Sequence, residues 1–153
     1  MILAVVGTKH ELPGLRKYVH HIIFLIHQKY PDLRLVSGGC RGVDLYAAEY
    51  ALEHGVEITV FLPSTIEHNP YGDATIPLLR KLPQEWVIEQ PQYADVDMRK
   101  KFHPFFERNR KIAEYCTHAI AFPLEGDSRG TLYTVNYAKK LERPVKVYWI
   151  RKK

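Results

Sequence analysis

Short apolar runs alternate with helical patterns along this chain, and that alternation limits the fold more than any other feature. Strand-like runs stand at residues 2–6, 33–36, 57–62, 118–122 and 145–150. Helical periodicity fills residues 12–28, 43–54, 105–116 and 131–141. Alternation of this kind calls for right-handed crossovers and a largely parallel sheet covered on both faces. The expected fold class is α/β: a Rossmann-like, doubly wound three-layer sandwich whose five strands lie in the order 3-2-1-4-5. With 153 residues, 46% of them hydrophobic, the chain holds material for one core. Residues 1–153 are therefore read as one domain.

One stretch breaks the rhythm. From 63 to 104 the chain carries six prolines and only weak periodicity at 76–82 and 86–89. An insertion of this length after the third strand suits a short helix, an added strand and either a lid or wall over a ligand site or an ordered surface excursion. The net charge of +5 is uneven, since Arg99, Lys100, Lys101, Arg108, Arg110 and Lys111 lie close together. Such a surface either attracts an anionic partner or is merely solvated. No apolar run reaches membrane-spanning length and the N-terminus has no signal-peptide pattern, so a cytoplasmic protein is expected. Cys40 and Cys116 stand in unlike contexts and are expected as free thiols.

Three strand-to-helix junctions hold the chemistry. After the second strand comes Ser37-Gly38-Gly39-Cys40-Arg41-Gly42-Val43-Asp44, where glycines admit close approach and a helix start offers unpaired N–H groups to an anion. A plain tight turn is the alternative. The pattern is neither the dinucleotide fingerprint nor the P-loop. Gly7-Thr8-Lys9 follows the first strand, and Gly130-Thr131 opens the helix after the fourth, with Ser128 or Thr131 as its cap. In the expected strand order all three junctions reach one sheet edge beside the switch point.

Asn109 falls at the centre of the apolar arc made by Phe105, Ile112, Ala113 and Cys116, where an amide needs partners: a neighbouring loop or a ligand. Arg108 and Arg110 flank that arc, so one faces the site and the other solvent. Arg41 either forks onto phosphate or is solvated, and Asp44 either complements the helix dipole or accepts from a hydroxyl. A helix-entry position also suggests a lowered Cys40 pKa. The histidines form no ligand set, so neither a metal nor a cofactor is expected.

Taken together, these motifs resemble the SLOG superfamily, which includes the DprA (Smf) family, the YspA-type stand-alone proteins and the LOG nucleotide phosphoribohydrolases. The likeness rests on S-G-G-x-R-G-x-D at 37–44, R-N-R at 108–110 and G-T at 130–131, in that order. It implies a ligand site built from Gly7, Thr8, Lys9, Ser37, Gly38, Gly39, Arg41, Gly42, Asp44, Arg108, Asn109, Gly130 and Thr131. DprA-like proteins bind single-stranded DNA through the pocket around the arginine matching Arg41, and Ile88-Glu89 resembles their added strand. LOG-type hydrolases use a glutamate where this chain has Thr134. Loss of that carboxylate removes the group expected to stabilise an oxocarbenium-like state.

The expected function is binding of a phosphorylated nucleotide or single-stranded nucleic acid on a phosphate cradle, as a sensor or nucleic-acid-processing accessory protein. The alternatives are a nucleotide N-glycosidase with a displaced acid at Glu125, Asp127 or Glu89, and a DNA chaperone like DprA. Whether there is turnover is left open. Tyr71, Trp86 and Tyr93 of the insertion either stack on a base or pack the insertion. Relatives imply a homodimer or larger assembly, and the apolar segment 19–26 suits either deep burial or such an interface.

Overall fold

The computed structural model describes residues 1–151. Strand β1 (Ile2–Gly7) leads to helix α1 (Leu15–Lys29), β2 (Arg34–Ser37) to α2 (Val43–His54), and β3 (Ile58–Phe61) to α3 (Gly72–Lys81). Then come β4 (Val87–Ile88), α4 (His103–Tyr115), β5 (His118–Phe122), α5 (Arg129–Lys140) and β6 (Val145–Val147). All pairings are parallel, in the order β4-β3-β2-β1-β5-β6.

The α/β class and the expected order are present, but the sheet has six strands rather than five. The sixth, β4, comes from the insertion and adds to the outer side of β3, pairing Val60 with Val87 and Phe61 with Ile88. Two residues are too short a run to show alternation in sequence. The insertion also supplies α3 and two single-turn 3-10 helices, Gln84–Trp86 and Pro91–Tyr93.

Alternating side chains of the strands build a core on each face, as a period of two requires. Leu3, Val5, Leu35, Ile120 and Phe122 pack with α1, α2 and α3. Ala4, Val6, Val36, Ala119 and Ala121 pack with α4 and α5. The expected ambiguity of 19–26 resolves by face: Val19 and Ile23 are buried, whereas Phe24 and Leu25 are exposed. Among the described residues no helix is long and apolar enough to cross a membrane.

The chain order turns outward in both directions from β1 and β5. That pair is the switch point, and the crevice at its carboxyl edge is where open α/β sheets take ligands.

Candidate functional site

A cleft of about 780 Å³ opens at this edge. Gly7, Thr8 and Lys9 border it after β1, Cys40 and Asp44 after β2, and Asp127 through Thr131 after β5. Helix α4 contributes Phe105, Phe106, Arg108 and Asn109, while the insertion adds Tyr71, Met98, Arg99 and Phe102 as a wall. Eight predicted residues thus meet at one cleft: Gly7, Thr8, Lys9, Asp44, Arg108, Asn109, Gly130 and Thr131.

Ser37, Gly38, Gly39, Arg41 and Gly42 lie outside its lining. The glycine run is bare because the protein itself comes close. A Cβ on Gly38 would lie 2.7 Å from an Arg108 nitrogen and 2.8 Å from an Asp44 oxygen. On Gly39 it would meet Leu62 at 2.5 Å, and on Gly42 the Thr8 carbonyl oxygen at 2.4 Å. Gly7 likewise has Val43 at 2.7 Å. Gly130 differs: the nearest atom to a Cβ there would be the Asn109 amide nitrogen at 3.9 Å, and its backbone borders the cleft.

Two donors of the glycine loop and helix start already have protein partners. The Cys40 N–H donates to Asp44 Oδ2 at 3.2 Å, and the Val43 N–H at the start of α2 donates to the Thr8 carbonyl at 3.1 Å. Ser37 donates its hydroxyl to the Val5 carbonyl at 2.6 Å. Burial pushes the Asp44 carboxyl above the usual range, opposed by the nearby Arg108 guanidinium. Burial, with the Asp44 charge beside it, also pushes the Cys40 thiol up to about 11. The lowering expected for a helix-entry cysteine is overturned, because burial, with Asp44 beside it, outweighs the Arg108 charge and the Arg41 backbone hydrogen bond. Both cysteines are free.

Arg108 is the arginine that turns inward, and Arg110 is exposed. Arg108 Nη1 donates to the Gly38 carbonyl and Arg108 Nε donates to Asn109 Oδ1 at 2.7 Å. Asn109 in turn donates to the Gly130 carbonyl at 3.4 Å, and the Thr134 hydroxyl donates to the same oxygen at 3.2 Å. This chain of bonds ties the β2 loop to the start of α5. Arg41 turns away from the cleft, its Nε donating to the Lys9 carbonyl at 3.2 Å and lying 3.8 Å from Glu11.

At the start of α5 the Ser128 hydroxyl donates to the Leu124 carbonyl, and no side chain caps the helix. The start of α5, with the positive end of its dipole, borders the cleft, and Arg129 and Lys9 belong to the same lining. The pKa of Lys9 is raised, chiefly by its hydrogen bond with Tyr71. Of the displaced acids considered from sequence, Asp127 borders the cleft, with an oxygen 2.5 Å from His10 Nε2. Glu89 accepts from the Ile66 N–H at 2.7 Å, and Glu125 lies 3.9 Å from Arg151. Among the described residues no group of histidine, cysteine and carboxylate side chains is placed to hold a metal.

Sequence reasoning missed Arg129, Arg99, Met98 and the aromatic wall of Phe102, Phe105 and Phe106. The one usable signal was Arg129 beside the Gly130 helix start; the others come from tertiary folding of the insertion. Of the aromatics considered there, Tyr71 borders the cleft, whereas Trp86 packs on the core and Tyr93 donates to Glu107.

Comparison with known proteins decides the family. The profile of DNA recombination-mediator protein A matches residues 1–152. The chain belongs to that family. Among solved structures, DNA processing protein A (DprA) from Streptococcus pneumoniae superposes with a TM-score of 0.72 and 21% identity, over 95% of this chain and 49% of that one. The structural-genomics protein TM1055 superposes with a TM-score of 0.61 and 17% identity, over 94% of this chain and 71% of that one. Identities this low speak for the fold. The chain spans about half the length of the pneumococcal DprA it matches. No curated protein sequence matches significantly. The suspected DprA-type character of the chain is therefore upheld, and both solved structures share its Rossmann-like fold.

Proposed function

We propose that this DprA-family chain binds a phosphorylated nucleotide, free or within single-stranded nucleic acid, in the cleft at the switch point, and that it acts in the cytoplasm. The carrying observation is the uncapped N-terminus of α5 opening on that cleft beside Arg129 and Lys9. A helix start with no bond from its N-cap side chain, the positive end of the helix dipole and two cations make a site for phosphate. This reading puts the phosphate at α5 rather than at the glycine loop, because there the Cys40 N–H already donates to Asp44 and the Val43 N–H to the Thr8 carbonyl. Buried Asp44 then offers an acceptor to a sugar hydroxyl or base amine deeper in the cleft.

An N-glycosidase reading keeps one supporting observation, Asp127 at the cleft with His10 behind it. Against it, the position where LOG-type hydrolases carry glutamate is Thr134, which borders the cleft and commits its hydroxyl to Gly130. Incubation with nucleoside monophosphates distinguishes the two: binding without release of free base is expected.

Salt dependence separates the ligand classes. A single-stranded oligonucleotide spanning Lys9, Arg99 and Arg129 releases several counterions, so its affinity falls by at least tenfold between about 50 and about 200 mM salt. A mononucleotide shows a shallow slope. Arg129→Ala weakens both ligands. Unchanged binding by that variant, measured by titration calorimetry, contradicts the proposed site.

A further inference from the structure

Tyr71 is one of two non-glycine residues with left-handed backbone among the described residues, with φ 55°. That conformation is unfavourable for a residue with a side chain and persists only where the surroundings hold it. What is held here is an aromatic ring between two clefts. Tyr71 borders the main cleft and a second one of about 870 Å³, and is 42% exposed.

The ring is fixed from two sides. The Arg41 guanidinium lies 4.1 Å from its centroid and borders only the second cleft. Arg41 is itself held by the Lys9 carbonyl and by Glu11. The Lys9 ammonium lies over the ring, 5.8 Å from the centroid. Arg41 thus holds the ring from the second cleft and Lys9 holds it from the main cleft, so the part of the ring that borders the main cleft needs no ordering when a ligand arrives.

Charge gives the cleft a direction. Beyond Tyr71 the second cleft carries Glu11, Glu67 and Asp73, which repel phosphate. The main cleft carries Arg129 and the start of α5, with the Asp127 carboxylate there held by His10. Of the other aromatics at the cleft, Phe106 lies 4.6 Å from Tyr133 and Phe105 lies 5.7 Å from the Arg108 guanidinium, whereas Phe102, 55% exposed, is the competing surface. A ligand with an anionic end and a flat aromatic end fits this polarity, and a sugar phosphate alone fills half of it.

We propose that the cleft-facing side of Tyr71, backed by Arg41, is a base-stacking subsite that makes the site select nucleotides over bare sugar phosphates. This rests on the nucleotide reading above and adds the part of the ligand that Tyr71 reads. The test is calorimetric titration of AMP and ribose 5-phosphate into the wild type, Tyr71→Phe, Tyr71→Leu and Phe102→Leu. The wild type, Tyr71→Phe and Phe102→Leu are expected to bind AMP about tenfold or more tightly than ribose 5-phosphate. Tyr71→Leu is expected to lose that preference while binding ribose 5-phosphate as before.

If Tyr71→Leu does not fold, Arg41→Met carries the test, with AMP weakened and ribose 5-phosphate unaffected. Retention of the preference in Tyr71→Leu, or its loss in Phe102→Leu instead, overturns the subsite and leaves the phosphate site standing. A wild type that binds neither compound overturns both.

Discussion

Gly42 has φ +85°, and a Cβ there would press on the Thr8 carbonyl oxygen at 2.4 Å. That oxygen accepts the first N–H of α2, so the loop after β1 and the start of α2 are one piece. Gly42→Ala should therefore cost about 2 kcal/mol or more of stability, read by denaturant unfolding, through strain and steric conflict together. The glycine run was legible in the sequence as a place of close approach, but its guest was not. A phosphate and the side chain of Arg108, 70 residues away, require the same bare backbone at Gly38. Nor does a sequence tell that Asp44 would turn back on the loop it follows and satisfy Cys40.

At the scale of elements, α1 and α2 meet around Tyr50, whose ring stacks on His54 at 4.0 Å and stands edge-on to His20 at 5.6 Å. His20 Nε2 lies 2.8 Å from the Tyr46 carbonyl, so in the folded protein this nitrogen carries the proton. Burial lowers the pKa of His20 below its ordinary 6.5. Above 6.5 the ring is neutral in folded and unfolded chains, and its contribution to stability is complete. As pH falls below 6.5 the unfolded chain takes up the proton first, so stability is lost until the folded pKa has been passed. Unfolding midpoints should decline across that window, and His20→Gln should remove part of the slope. The helices were legible because each buries one periodic face. Strand β4 was legible only as an added strand near Ile88-Glu89, and the aromatic wall not at all, because two-residue pairing and a proline-rich insertion take their shape from what they pack against.

Across the whole molecule, the uneven charge and the strand order meet at one place. The order places the switch point between β1 and β5, and Lys9, Arg99, Arg108 and Arg129 reach the cleft there from four separate parts of the chain. Alternation of strands and helices was enough to locate that edge, since topology alone sets where the central strands end. It could not say which of the three junctions faces open space. Only Gly130 among the predicted glycines has room beside it, and this makes it the position where binding and folding can be separated. The most direct measurement is calorimetric titration of AMP into the wild type and Gly130→Leu, with thermal unfolding of each run alongside. A leucine there should weaken AMP binding by about tenfold or more, while the unfolding temperature stays equal or rises as glycine leaves a helix. Undiminished AMP binding by a folded Gly130→Leu protein would contradict a nucleotide site at the start of α5.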